Sequence, residues 1–151
     1  LEVGRRLQMT LAWDAAQAGR GRLLRDGFQT LILLRPEDRP ERVQWAAAHE
    51  LGEAVAWQIC RELPGAGDDL SPPQREQLAN EFAQRLLLPT DWFQAAWRNV
   101  AGELPRMKDH FPTASHELIA WRVLSLPTPR VISVWDQGTL TRRRSNLPGR
   151  L

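Results

Sequence analysis

A single cysteine, Cys60, is all the thiol chemistry this chain holds. No internal disulfide can form, and a zinc site built from several thiolates is excluded. Cys60 itself reads as helix packing, since a lone cysteine usually behaves as a small buried hydrophobe. No apolar run of about 18 residues is present to span a membrane, and the first residues carry charges where a signal peptide would carry an apolar stretch. A soluble cytoplasmic protein is the expectation. Position 1 is Leu rather than Met, as in a fragment or a processed chain. Lysine is nearly missing: Lys108 is the only one among 20 basic residues, and a net charge of +2 is too small to argue for nucleic acid by itself. With His49, His110 and His116 as the only histidines, and no GxSxG, nothing supports a serine or cysteine hydrolase. His110, beside Phe111 and Pro112, reads as a loop residue, and His116, one position after a helix cap, as a surface one. The absence of GxGxxG and GxxxxGK phosphate loops leaves nucleotide cofactors unsupported. No internal repeat or low-complexity linker interrupts the chain.

What is present is enough for one domain. The chain has 151 residues, seven tryptophans and 42% hydrophobic residues, sufficient for a core without staples. The expected core runs over about residues 20 to 105, with a helical and hairpin part over about 106 to 146. Alternating Leu7, Met9, Leu11 and Trp13 suggest a first strand. Asp26-Gly27 between two apolar runs signals a hairpin, whose better arm is Phe28 to Leu34, ended by Pro36. Asp38-Arg39-Pro40-Glu41 reads as a helix start with Asp38 as N-cap, and Pro64 to Gly67 as its break. Ser71-Pro72-Pro73-Gln74 starts a second helix in the same way, and Pro89 stops it. Further helices are expected over Asp91 to Val100, over Leu104 to Phe111 and from a Ser115 cap to Leu126. A terminal hairpin is expected around Asp136-Gln137-Gly138.

The chemistry concentrates in the first long helix, at His49-Glu50-Leu51-Gly52-Glu53. Positions i and i+4 stack on a helix, so His49 and Glu53 can converge on one point while Glu50 reaches it from the flank. This resembles the HExxH zinc-peptidase motif with Glu in the last position. Ala46, Gly52 and Ala56 lie on the same face, and a glycine inside a helix costs about 1 kcal/mol relative to Ala, which calls for a packing or functional reason. On the second helix Glu76 shares a face with Ala79 and Ala83 and reads as inward, whereas Glu81, with Gln77, Gln84 and Arg85, reads as solvated. Glu76 is the candidate third ligand.

Two separated motifs, HELGE and the run from Glu76 to Pro89 (ExxANxFAxxLLLP), resemble the ImmA/IrrE family of metallopeptidases. The resemblance extends more loosely over residues 20 to 146, including the helix that bears Arg122 and the Arg-rich closing hairpin. It implies metal ligands at His49 and Glu76, the general base at Glu50, and Glu53 where the family has its second histidine. The implied fold is α+β, a small twisted sheet packed on the two metal-site helices, with a helical C-terminal part and a closing hairpin. The implied activity is metal-dependent, regulatory peptidase action on a protein substrate, a transcriptional repressor or mobile-element regulator.

Glu53 changes the chemistry. One histidine with two carboxylates brings a divalent ion's net charge near zero, so a bound water is less acidic than the pKa of about 7 found in efficient zinc hydrolases. Oxygen donors also shift preference from Zn²⁺ towards Mn²⁺ and similar ions. The competing class is a non-catalytic family member that binds a protein or DNA. For DNA, the helices after Asp91 and the hairpin ending in Arg142, Arg143 and Arg144 have a winged helix-turn-helix outline. Against it, the presumed reading helix presents Glu117 and Ile119, and three arginines near a terminus read as a solvated tail. Trp92, Trp97 and Trp121 read as core or partner-facing anchors.

Overall fold

The computed structural model describes residues 6–26, 29–62 and 70–148, and of residues 57–62 the backbone alone. Gly27, Phe28, the side chain of Cys60 and the break at Pro64 to Gly67 therefore lie outside the described residues. The chain divides into two compact units, Leu1–Leu87 and Leu88–Leu151. No described helix is long and apolar enough to cross a membrane.

In the first unit, strands β1 (Met9–Trp13), β2 (Gly21–Asp26) and β3 (Gln29–Leu34) form a sheet in the order β1-β3-β2. The pairing of β2 with β3 is antiparallel and ends at Asp26↔Gln29, the register of a two-residue hairpin. β1 runs parallel to β3, from Met9↔Thr30 to Trp13↔Leu34. That pairing was not readable from alternation alone, because β2 intervenes in sequence. β3 is central, and Ile32 and Leu34 alternate onto the buried face. Burial of two such side chains contributes roughly 1.5–3 kcal/mol each.

Helix α1 (Pro40–Glu62) covers that face, packing Ala46, Ala47, Leu51 and Ala54 with Met9, Ile32 and Leu34. It begins at Pro40, so Arg39 rather than Asp38 precedes the first helical residue, and Arg42 N–H donates to the Arg39 carbonyl. The proline fixes this start, since its ring presets φ for a first helical position and it has no N–H to satisfy. Helix α2 (Pro72–Leu87) opens as expected. The backbone N–H and the hydroxyl of Ser71 both donate to Gln74 Oε1 at 2.8 Å. Its buried residues are Ala79 and Ala83, and it packs against α1. Gly52 is the reason it can come so close. A Cβ there would lie 2.8 Å from the Ala79 carbonyl oxygen and 2.9 Å from Ala79 Cα.

The second unit contains α3 (Thr90–Asn99), α4 (Leu104–His110), α5 (His116–Val123) and the hairpin β4 (Val131–Asp136) and β5 (Thr139–Ser145). Leu88, Phe93, Met107, Ile119 and Val123 are its fully buried large side chains among the described residues, with Phe93 packed on Phe111 at 5.8 Å between ring centroids. Ser115 caps α5 by accepting from Leu118 N–H. Gln137 and Gly138 have φ of 47° and 80°, the two positive values that a two-residue hairpin turn requires. Arg142 to Arg144 belong to β5 rather than to a tail: Arg142 pairs with Glu117, and Arg144 lies over Trp121 at 5.0 Å. Two of the three arginines are thus committed to α5. Trp97 stacks on Phe93, whereas Trp92 is 73% exposed and takes no part in the core. His110 and His116 are both exposed.

Candidate metal centre

His49 and Glu53 sit one turn apart on α1, and Glu76 reaches the same place from α2. The close approach at Gly52 sets the gap that these side chains must span. His49 Nε2 lies 3.5 Å from Glu76 Oε2, and one ligand atom from each of His49, Glu53 and Glu76 lies within 4.8 Å of the other two. Asn80, one turn beyond Glu76, donates its Nδ2–H to Glu76 Oε1 at 2.9 Å, which leaves Oε2 facing the histidine. The donor set fits a divalent cation. Donors around a tetrahedral zinc lie about 3.4 Å apart, so side-chain rotation of about an ångström closes the cluster. His49 Nδ1 is buried with no hydrogen-bond partner among the described residues, and Nε2 is the ring nitrogen that faces Glu76.

Glu50 faces the neighbouring wall. A Cβ on Gly21 would stand 2.6 Å from Glu50 Oε1 and 2.7 Å from its Cγ, so the first residue of β2 lies directly over this carboxylate. Burial pushes the Glu50 carboxyl above the usual glutamate range. Glu53 and Glu76 push the same way, while His49 and a hydrogen bond with the Leu23 backbone oppose the shift. Glu53 has a cation beside it: Arg25 Nη2 donates to the Glu53 carbonyl at 3.4 Å. Partial burial lowers the pKa of this guanidinium, and the Glu53 charge opposes that shift.

A cleft of about 280 Å³ opens onto His49, Glu50 and Glu76 and is walled by Arg20, Gly21, Trp45, Ala46 and Asn80. Glu53 lies outside its lining. Of the sequence candidates, Glu76 is on the expected face but is not inward, since its side chain is 58% exposed. The first buried residue of α2 is Ala79, and the turns before it are exposed on every side. Glu81 is solvated as expected, paired with Arg85 at 3.8 Å. Sequence reasoning missed Arg20, Gly21, Trp45 and Asn80. Asn80 carried a readable signal in its i+4 spacing from Glu76.

The Gly21 contact makes a prediction. Gly21→Ala is expected to displace the Glu50 carboxylate while changing stability by less than about 1 kcal/mol, because the obstacle is a flexible side chain and a compatible Gly→Ala change restricts the unfolded chain. Urea unfolding checks the second part and a crystal structure of the variant the first. An unmoved carboxylate would show that β2 stands further away.

The arrangement brings a potential ion site beside a carboxylate poised to hold a proton. The family described as the IrrE N-terminal-like domain, a peptidase family, matches residues 13–111. Among solved structures, a Mycobacterium tuberculosis transcriptional regulator is similar, with a TM-score of 0.72 and 20% identity. The match covers 98% of this chain and 48% of that one, so the chain spans about half the regulator's length. At that identity the likeness concerns the fold. No curated protein matches the chain.

Proposed function

The chain belongs to the IrrE N-terminal-like, or ImmA/IrrE, peptidase family, and from that premise we propose that it is a cytoplasmic, metal-dependent peptidase of regulatory type. The observation that carries the reading is the convergence of His49, Glu53 and Glu76, two of which line one cleft together with Glu50. His49, Glu53 and Glu76 would hold the ion, Zn²⁺ by family pattern, with Mn²⁺ favoured by the second carboxylate. When bound, such an ion polarises a scissile carbonyl and acidifies a water. Glu50 accepts that water's proton and passes it to the leaving amine, a role suited to a carboxyl whose pKa burial has raised. Asn80 orients Glu76, and Gly21 leaves room at the head of β2 for the Glu50 side chain. The substrate class is a protein, a repressor or mobile-element regulator; the structural likeness to a transcriptional regulator supports that setting.

Elemental analysis of the purified protein tests the centre. Close to one equivalent of metal is expected, and its loss in both His49→Ala and Glu76→Ala. No metal after incubation with Zn²⁺ and Mn²⁺ would favour the second reading, a family member that binds its regulator without cutting it. One observation supports that alternative: Glu53 stands in a histidine position, and Arg25 already offsets its charge.

A further inference from the structure

The cleft beside Glu50 has an arginine on its rim. Arg20 lines it, and Arg20 Nε lies 3.3 Å from Glu37 Oε1. The same carboxylate receives Arg35 Nη2 at 3.0 Å and Arg42 Nη1 at 3.4 Å. Three guanidiniums on one carboxylate leave two positive charges in excess. Glu37 accordingly titrates below the usual glutamate range, chiefly through the Arg35 hydrogen bond.

Arg20 is held through Nε alone among the described residues. Among the described residues its two Nη groups have no partner, and the side chain is 53% exposed. A guanidinium clamped at Nε keeps its terminal fork oriented, and that fork matches a carboxylate with two parallel hydrogen bonds. With the charges of Glu53 and Glu76 offset by the ion, Arg20 is the one arginine or lysine among the described residues that line the cleft, and so the side chain placed to attract a substrate carboxylate. A peptide carrying one negative group has a single favourable way to lie.

We propose that Arg20 anchors a carboxylate of the bound peptide, either an acidic side chain or the C-terminus, and so selects which peptide bond lies at Glu50. This rests on the peptidase reading above. In that reading Arg20 sets specificity, whereas the chemistry belongs to Glu50 and the ion site.

The test uses the whole chain carrying Glu50→Gln, loaded with Zn²⁺, and short peptides of alanine and leucine labelled with fluorescein at the N-terminus. One amidated peptide contains a single aspartate, a second asparagine in its place, and a neutral sequence is made with a free or an amidated C-terminus. Anisotropy titrations are expected to show about tenfold tighter binding of a carboxylate-bearing peptide than of its neutral counterpart, the scale of one charge-assisted pair. Aspartate over asparagine identifies a side chain as the source, and free over amidated identifies the terminus. Adding Arg20→Gln is expected to abolish the preference with the melting temperature unchanged, and Arg20→Lys to retain part of it. Arg42→Gln removes another guanidinium from Glu37 without touching the cleft and is expected to keep the preference. Equal affinity for all the peptides, a preference that survives Arg20→Gln, or its equal loss in Arg42→Gln overturns the proposal and leaves the peptidase reading standing. Failure of every peptide to bind removes both.

Discussion

Glu50→Gln is expected to lower hydrolysis of a peptide substrate by about two to four orders of magnitude, the usual range for loss of a general base. The change keeps shape and hydrogen-bonding reach but removes the proton acceptor. Because Glu50 is not among the three converging ligand groups, metal stoichiometry should stay the same. The loss should fall on kcat rather than KM, since proton transfer is made only in the transition state. Stability should change little, and in the direction of gain. The carboxylate that burial and two neighbouring glutamates disfavour becomes a neutral amide of equal size. Steady-state kinetics beside a denaturant melt separate these effects. A variant as active as the parent would assign the proton to another group.

Gly52→Ala is expected to destabilise the protein by about 1–3 kcal/mol, although Ala gains about 1 kcal/mol over Gly in helix propensity. The reason is that the new methyl meets backbone. The Ala79 carbonyl oxygen and Cα would be 2.8 and 2.9 Å away, and Phe82 Cβ 3.1 Å. Main chain within a helix cannot step aside as a side chain can, so α2 must move as a body. Glu76 and Asn80 ride on α2 and would move with it, away from His49. A fall in metal affinity should therefore accompany the fall in melting temperature, as calorimetric titration with Zn²⁺ would show. Stabilisation by the propensity increment alone would mean that the helices do not meet here.

These two glycines mark how far the sequence could be read. Gly52 was conspicuous as a costly residue in a helix interior, and its reason proves to be packing. Gly21 gave no signal, because its importance depends on where β2 falls beside α1. That placement follows from the order β1-β3-β2, with a parallel pair between segments far apart in sequence. Both hairpins were legible because turn signals are local: Gln137-Gly138 makes the second turn, while in the first Asp26 closes β2 and pairs with Gln29. The facing of His49, Glu53 and Glu76 was legible because helical spacing is local as well. Exposure was not: the face of Glu76 followed from Ala79 and Ala83, but its burial depended on how far α1 covers the start of α2. The charged surroundings were lost for the same reason, since Arg25 reaches the centre from β2 and Arg20 from the bend before it.

The exposure of Glu76 has a practical side. A centre closed on all sides releases its ion slowly, whereas a donor that is 58% exposed leaves one flank open to bulk solution. Exchange should be fast, and occupancy should follow the free ion concentration around the protein rather than its history. Chelators have direct access by the same route. Protein prepared with EDTA would arrive stripped, and a blank assay on such a sample would report the buffer rather than the chain.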